Sequence, residues 1–353
     1  GSQVLCNNEM TTGISFAGMP PGTVFNWTNN QPTIGLAANG TGNIASFLAI
    51  NATGSPIVAT ITVTPTFGDN CDGNPFMFTI TVNPTPNAIA TPSSQTICSS
   101  TAITTIALSG DVTGTVFNWT RDNTGTVTGI AASGTGDISG SLTNTTNAPI
   151  TVTFTITPQY TNAGITCTGT PITATVVVNP IPNAVATPSN QEICTGSPIT
   201  NVVLSGNVSG TVFNWTRDNI ATVTGIAASG SGNVTGSLTN TTSAAVTVTF
   251  TVTPSFTNAS VTCDGAPITF EITVHPLDVV DILSIDTTIC GSTDSIPLIG
   301  SFAGGATGAK WSTAGSGIFS PNDSTLTARY ILGESDRTAN SIKIYLTSTN
   351  LNG

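Results

Sequence analysis

Charged residues are scarce in this chain, and basic residues are the scarcest. Only 7% of its 353 residues are charged, and the net charge is −11. Residues 1–120 contain neither Lys nor Arg. Nucleic-acid binding requires clustered cations that displace counterions from phosphates. The composition therefore excludes a nucleic-acid-binding protein.

The sequence also lacks the patterns of an enzyme or a membrane-spanning chain. Its single histidine, His275, and its scattered carboxylates form no convergent set of titratable groups, so we predict no catalytic residues and no cofactor. No apolar run reaches the roughly 18 residues of a membrane-spanning helix, and no signal peptide begins the chain. The Thr- and Asn-rich, Lys-poor composition leads us to expect a segment of a longer secreted protein.

What the chain does contain is an internal repeat. The four tryptophans are separated by 92, 96 and 96 residues, and a first series of cysteines has the same intervals. A second series of cysteines recurs every 96 residues. The members are Trp27, Trp119, Trp215 and Trp311; Cys6, Cys98, Cys194 and Cys290; and Cys71, Cys167 and Cys263. The spacing predicts four domains at 1–86, 87–182, 183–278 and 279–353, the last shortened at its C-terminal end.

Within each repeat the pattern is that of β-strands. In "TVTFTITP" (151–158), Thr alternates with Val, Phe and Ile, as in a half-buried strand. Turn residues separate such runs every eight to twelve residues or so. We predict an all-β protein of tandem immunoglobulin-like antiparallel β-sandwiches. Pro-x-Pro joints at 84–86 and 180–182 favour short, stiff links and an elongated rod.

The chain has seven cysteines, and an odd number leaves at least one cysteine of a secreted protein without a disulfide partner in the same chain. Pairing within repeats gives three disulfides, Cys6–Cys71, Cys98–Cys167 and Cys194–Cys263. The partner of Cys290 would then lie beyond residue 353, so we interpret Cys290 as unpaired by truncation. Each bridge would join the first strand of a repeat to the segment before its last strand, and would carry tension past the interior strands.

Metal sites are the alternative use of these residues. Zinc is not favoured because no C-x-x-C pair is present. The segment 68–74, with Asp69 and Asp72, resembles a calcium loop but loses its acids in the second repeat. We therefore predict no metal. The adjacent Arg121 and Asp122 are interpreted as a turn with a surface ion pair, and the Thr-x-Thr runs as one-sided strands rather than an ice-binding face.

The motif "GTVFNWT" occurs at 22–28, 114–120 and 210–216. Its N-W-T could be a glycan acceptor, or its Trp a ligand platform. In the fourth repeat, "GAKWSTA" keeps Trp311 but loses the Asn. We therefore predict that the four tryptophans are core residues, packed on the disulfide of their own repeat as in immunoglobulin domains.

The Cys-(20)-Trp-(47)-Cys frame, the "NWT" strand, the "TVTFTITP" strand and the "VNPxPNA" joint together resemble the PKD-like, immunoglobulin-like repeats of long cell-surface proteins of Bacteroidota. These include gliding-motility adhesins and other cargo of the type IX secretion system. The resemblance implies a stalk exposed at the cell surface, with O-linked glycans expected at Thr287, Ser295 and Ser324.

On this basis we expect a non-catalytic structural and adhesive stalk, used in gliding motility or surface attachment. Its expected partners are neighbouring repeats, surface glycans or other adhesive targets, and the secretion and motility machinery, reached through regions outside this chain. The alternative is a carbohydrate-binding array of a large secreted hydrolase. Such an array would expose aromatic side chains along one face.

Overall fold

A computed structural model describes residues 1–68, 71–290 and 292–349. The chain divides into two compact units, Gly1–Pro180 with Asn258–Thr262, and Ile181–Thr257 with Cys263–Gly353. The regular elements of the described residues are β-strands and one 3₁₀ turn, Pro32–Ile34. These residues include no helix long and apolar enough to cross a membrane.

The strands of the first repeat form one six-stranded sheet, and those of the second form a six-stranded sheet with two smaller sheets beside it. In the first repeat they are β1 (Gln3–Cys6), β2 (Val24–Asn29), β3 (Asn39–Thr41), β4 (Ile57–Phe67), β5 (Cys71–Asp72) and β6 (Phe76–Asn83). In the second they are β7 (Ile89–Thr91), β8 (Ser94–Cys98), β9 (Thr101–Ala102), β10 (Ala107–Ser109), β11 (Val116–Arg121), β12 (Val127–Gly129), β13 (Ser133–Thr135), β14 (Ser141–Asn144), β15 (Ile150–Asn162), β16 (Ile165–Thr168) and β17 (Ile172–Asn179).

The third repeat reproduces the second almost strand for strand, whereas the fourth is built from smaller sheets. The third has β18 (Val185–Thr187), β19 (Asn190–Cys194), β20 (Val203–Ser205), β21 (Val212–Arg217), β22 (Val223–Gly225), β23 (Ser229–Ser231), β24 (Leu238–Asn240), β25 (Val246–Asn258), β26 (Val261–Asp264) and β27 (Ile268–His275). The fourth has β28 (Asp278–Ile282), β29 (Ser295–Pro297), β30 (Gly300–Gly304), β31 (Gly308–Thr313), β32 (Ile318–Ser320), β33 (Arg329–Ile331) and β34 (Ile344–Thr349).

The large sheet of the second repeat has the order β13-β11-β15-β17-β8, with β16 paired to β15. The long strand β15 alternates as its sequence predicts, with Val152, Phe154 and Ile156 buried. Pairing is antiparallel except between β8 and β17, the first and last strands of the sheet in sequence, which run parallel. The first and third repeats have the same order and the same parallel pair.

The described residues form four separate hydrophobic cores, one for each tryptophan. The core of the second repeat contains Trp119 and Phe154, whose rings pack edge to face with their centroids 5.7 Å apart. The prediction of tandem all-β immunoglobulin-like domains is confirmed. The exact domain bounds stay a prediction.

The fourth repeat differs at its first segment. Residues 285–290 form no strand, whereas the equivalent residues of the other repeats pair with a last strand such as β17. An open groove of about 630 Å³ lies beside this segment, lined by polar residues such as Asp286 and by apolar ones such as Ile285 and Trp311. The parallel pair therefore belongs to the first three repeats of the described chain.

Candidate functional site at the junction between repeats

The first cysteine of each repeat, which we call the leading cysteine (Cys6, Cys98, Cys194 and Cys290), is placed by the parallel pair. Cys6 ends β1 and lies opposite Asn83, the last residue of β6. The same register sets Cys98 opposite Asn179 and Cys194 opposite His275. A parallel strand ends where its partner ends, so these three leading cysteines lie at the end of the repeat from which the chain leaves.

The second cysteine, which we call the hairpin cysteine (Cys71, Cys167 and Cys263), lies at the opposite end. Cys167 is on β16, directly across from Tyr160 near the end of β15. The other end of β15, Ile150, pairs with Val178, the neighbour of Asn179. Ten residues of extended strand therefore separate the two cysteine positions, roughly 33 Å at about 3.3 Å per residue. A disulfide needs Cα atoms about 4.4–6.8 Å apart, so pairing within a repeat is not possible.

The observed bond joins neighbouring repeats instead. Cys6 is disulfide-bonded to Cys167, 161 residues away, with Cα atoms 5.6 Å apart. The predicted pairs Cys6–Cys71 and Cys98–Cys167 are wrong, and so is Cys194–Cys263. The physical reason is the parallel pairing, which carries the leading cysteine to the end of its repeat that faces the next one.

The remaining cysteines divide into two groups. Cys98 and Cys263 are each disulfide-bonded. Cys71 and Cys194, which we had expected to be bonded, are free thiols at exposed positions. Cys290 is also free and exposed, as expected. Truncation as the reason for its free thiol stays a prediction.

Two asparagines bind each other beside the Cys6–Cys167 bond. The Asn162 side chain donates from Nδ2 to Oδ1 of Asn83 at 2.8 Å, and Asn83 Nδ2 donates to the Asn162 carbonyl at 3.2 Å. Asn83 is fully buried. Asn179 and Asn258 form the same reciprocal pair, at 3.2 and 2.8 Å. The same pair of asparagine hydrogen bonds thus recurs, and at the first junction it lies beside a disulfide.

The linker also packs closely at this junction. Gly169, just after β16, faces the carbonyl oxygen of Pro86 so closely that a Cβ at this position would overlap it. Gly265 faces Pro182 in the same way in the next linker. The proline linkers and the residues after each hairpin therefore approach at backbone distance, which only glycine permits.

The tryptophans occupy a different place from the disulfide. Trp119 is only 8% exposed, and its ring lies against Gly134 on β13, where a Cβ would overlap the ring. Gly40 and Gly230 face Trp27 and Trp215 in the same manner. The expected burial of all four tryptophans agrees with the structure. The expected packing on a disulfide of the same repeat is wrong, because no described repeat contains such a bond.

The family of this chain follows from a comparison of its sequence with known domains. A family described as "PKD-like domain" matches residues 3–86, 95–182 and 188–278. The chain belongs to the PKD-like domain family. No curated protein matches it.

Solved structures similar to this PKD-like chain are tandem immunoglobulin-like and cadherin domains. The titin I67–I69 fragment, as an E-to-A variant, is 12% identical, with a TM-score of 0.42 over 77% of this chain and 95% of the titin chain. Mouse cadherin-23 EC22–24 is 12% identical, with a TM-score of 0.37 over 77% of this chain and 93% of that one.

The expected modification sites lie in the fourth repeat of this PKD-like chain. Thr287 and Ser324 are exposed. Ser295 is half-buried, and its Oγ accepts hydrogen bonds from Arg329 at 2.8 and 2.9 Å. Glycosylation at the three positions stays a prediction, and Ser295 is the least accessible of them.

Metal and charge sites are sparse in the PKD-like repeats. The described residues contain no group of three or more His, Cys, Asp or Glu placed to hold a metal ion. Asp69 of the calcium-like segment lies outside those residues. Arg121 does not form the expected ion pair: its Nε donates to the Ile130 carbonyl at 2.8 Å, and Asp122 accepts from the Thr153 amide at 2.7 Å. Both side chains therefore form hydrogen bonds with main-chain groups.

Sequence reasoning missed the junction asparagines. Asn83 and Asn179 occur in the "VNPxPNA" joint, and Asn162 and Asn258 precede each hairpin cysteine by five residues. Their recurrence was a usable signal, since a polar residue at the end of an apolar strand needs a partner. Which residue is that partner is visible only in the folded chain.

Proposed function

We propose that the chain is a non-catalytic structural and adhesive stalk segment of a large cell-surface protein, and that its repeats act as a mechanically stable spacer. The observation that supports this most directly is the Cys6–Cys167 bond between neighbouring repeats. A bond between repeats fixes the junction in addition to stabilising the folded chain. In a chain under tension such a bond carries the load across the junction through sulfur.

The path of the load explains the benefit. Cys6 lies near the start of the first repeat, and Cys167 lies just before β17, the last strand of the second. Tension along the chain therefore passes from Cys6 to Cys167 directly. The 161-residue stretch closed by this bond would otherwise release roughly 550 Å of contour at about 3.4 Å per residue. This bond differs from a bridge within one repeat, since it shields the linker as well.

Single-molecule pulling of the full chain tests this proposal. Oxidised protein is expected to extend by at least roughly 550 Å less than reduced protein, because reduction opens the 161-residue loop closed by Cys6–Cys167 and also the bonds of Cys98 and Cys263. The Cys71→Ser variant, which removes an exposed free thiol, is the matched control. In its oxidised form it is expected to extend as far as the oxidised wild type. Equal total extension before and after reduction would overturn the spacer function.

A location outside the cell is part of the proposal. Disulfides persist in oxidising compartments, and four of the cysteines are bonded. We further propose export by a type IX secretion system and a role in gliding or surface attachment, on the resemblance given above. Deletion of the gene from its host should abolish gliding or attachment, with growth unchanged. Persistence of both would contradict this finer assignment.

A carbohydrate-binding array receives little support from the exposed aromatic residues. Among the described residues the well-exposed aromatic side chains are Phe67, Phe76, Phe302 and Tyr345. They lie in the first and fourth repeats and not in the nearly identical second and third. A glycan-array screen of the full chain is expected to be negative. Strong binding to one glycan class would favour the binding array over the spacer.

A further inference from the structure

The first and last strands of a large sheet lie where tension enters and leaves its repeat. In the second repeat the chain enters at β8 and leaves at the end of β17, and these parallel strands pair over five residues. The ladder continues past β8, where the Ser99 amide donates to the Asn179 carbonyl at 2.8 Å. Because the strands are parallel, pulling the start of one against the end of the other loads all these bonds together rather than one at a time.

The first and third repeats have the same arrangement. Strand β1 pairs with β6 over four residues, and β19 pairs with β27 over five. Beyond these pairs the Asn7 amide donates to the Asn83 carbonyl, and the Thr195 amide donates to the His275 carbonyl, each at 2.8 Å. In these three repeats the two strands that take up an applied pull are therefore joined directly to each other.

The opposite edge of β8 is held by a single side chain. Gln95 Nε2 donates to the Thr104 carbonyl at 2.8 Å, and Gln95 Oε1 accepts from the Thr104 amide at 2.8 Å. The amides of Ile103 and Ile106 donate in the other direction, to carbonyls within residues 138–140. A carboxamide carries the same donor and acceptor as a peptide group. Gln95 therefore bonds Thr104 as a neighbouring strand would.

This glutamine bridge recurs in the first and third repeats. Gln3 bonds the amide and carbonyl of Thr12, both at 2.8 Å. Gln191 bonds those of Thr200, at 2.7 and 2.8 Å. Each glutamine stands three residues before the leading cysteine of its repeat. The first strand is thus bonded along one edge to the last strand and along the other to the segment that follows it.

We propose that Gln3, Gln95 and Gln191 lock a shear clamp, the ladder between first and last strands, and so set how fast each repeat unfolds under tension. This inference rests on the proposed function, in which the chain carries load. It deepens that function by naming the residues that resist the load once the disulfides are reduced. The first strand leaves its sheet only when the ladder and both glutamine bonds break. Forced unfolding is governed by the unfolding rate, so these bonds contribute to the barrier.

Force-clamp pulling of the full chain in reductant tests the proposal, because reduction brings every repeat into the load path. Gln95→Ala removes both bonds from the second repeat. At constant force one of the three clamped repeats is expected to unfold about tenfold faster, which corresponds to about 1.4 kcal/mol for two lost hydrogen bonds. Gln95→Glu keeps the acceptor and loses the donor, so its rate should lie between those of Gln95→Ala and the wild type.

Asp137→Ala is the matched control in the same repeat. The exposed Asp137 also bonds main chain, since its Oδ1 accepts from the Leu108 amide at 2.8 Å, but it touches neither strand of the clamp. Its unfolding rate at constant force should equal that of the wild type, and chemical denaturation verifies that each variant is folded.

An unchanged rate in Gln95→Ala would overturn the proposal, and so would an equal acceleration in Asp137→Ala. Neither result bears on the spacer function, whose test is the difference in extension between oxidised and reduced protein.

Discussion

Asn83 and Asn162 are hydrogen-bonded to each other across the junction of the first two repeats, and Asn162 Nδ2 donates to Asn83 Oδ1 at 2.8 Å. Asn83 lies opposite Cys6 on the neighbouring strand, and Asn162 is in the hairpin that carries Cys167. The amide pair and the disulfide therefore connect the same two ends. The hydrogen bonds orient the ends that the sulfur atoms join.

The number of free thiols distinguishes the two disulfide schemes. In denaturant without reductant, the wild-type chain should show three thiols, from Cys71, Cys194 and Cys290. Pairing within repeats would leave one. Cys6→Ser should raise the number by one, because it releases Cys167, and Cys71→Ser should lower it by one. A thiol assay with Ellman's reagent measures this, and a single thiol in the wild type would refute the connectivity.

Loss of the inter-repeat bond should also lower stability. A disulfide that closes 161 residues contributes about 5 kcal/mol by loop-closure entropy. Cys6→Ser is therefore expected to lower the midpoint of the first thermal transition, followed by circular dichroism. Cys71→Ser is the control and should leave that transition unchanged. An unaltered midpoint in Cys6→Ser would mean that the bond does not stabilise the folded junction.

Asn83→Ala should loosen the hairpin without breaking the disulfide. It leaves the Asn162 side chain without its partner at the junction, which costs about 1–3 kcal/mol. Amides of β16 should exchange hydrogen faster in the variant. Asn26→Ala, on the exposed face of β2, is the matched control and should not change exchange in β16. Unchanged protection in Asn83→Ala would show that the amide pair is not stabilising.

Gly134→Ala tests the glycine that faces the tryptophan. A methyl group here would overlap the Trp119 ring, so we expect a loss of about 1–3 kcal/mol from overpacking. Gly125→Ala is the control, since a Cβ there meets nothing within 4 Å. Chemical denaturation followed by tryptophan fluorescence compares the two. Equal stability of the variants would contradict the close packing of Trp119.

Asp336 makes the fourth repeat sensitive to acid. Burial opposes ionisation of this carboxyl, but hydrogen bonds from the Ser316 amide, the Tyr330 hydroxyl and the Gly333 amide outweigh it and lower its pKa to about 2. The unfolded value is about 3.9. The carboxylate therefore stabilises the repeat above about pH 4, and this contribution is lost as pH falls towards 2.

Asp336→Asn should reproduce that loss at neutral pH, at a cost of about 1–3 kcal/mol, and should flatten the pH dependence between about 4 and 2. Hydrogen exchange of β33 measures both. Asp323→Asn is the comparison, because the Asp323 carboxylate pairs with Lys310 at the surface and such pairs contribute little. A pH profile unchanged by Asp336→Asn would exclude this residue as the acid-sensitive group.

Much of the fold was predictable from local patterns. The alternation in 151–158 predicted the long strand β15. The invariant spacing of Trp from the leading cysteine identified core positions. These features depend on residues two apart along one strand or on repetition in the sequence, and neither requires knowledge of how strands are arranged.

The disulfide connectivity was not predictable in this way. Pairing within repeats leaves one cysteine over, whereas the observed bonding leaves three, so counting favoured the wrong scheme. The decisive fact is that β1 runs parallel to β6 and β8 parallel to β17. A strand that reads as alternating Thr and Val is compatible with either direction of its neighbour.

By itself, the amino-acid sequence determined the all-β repeat pattern, the strands such as β15 and the tryptophan core positions, because hydrophobic periodicity and recurrence are local properties. The tertiary structure alone decided which cysteines and asparagines meet. That depends on which end of a repeat each strand reaches, and a separation of roughly 33 Å between the two cysteine positions of one repeat leaves the neighbouring repeat as the partner.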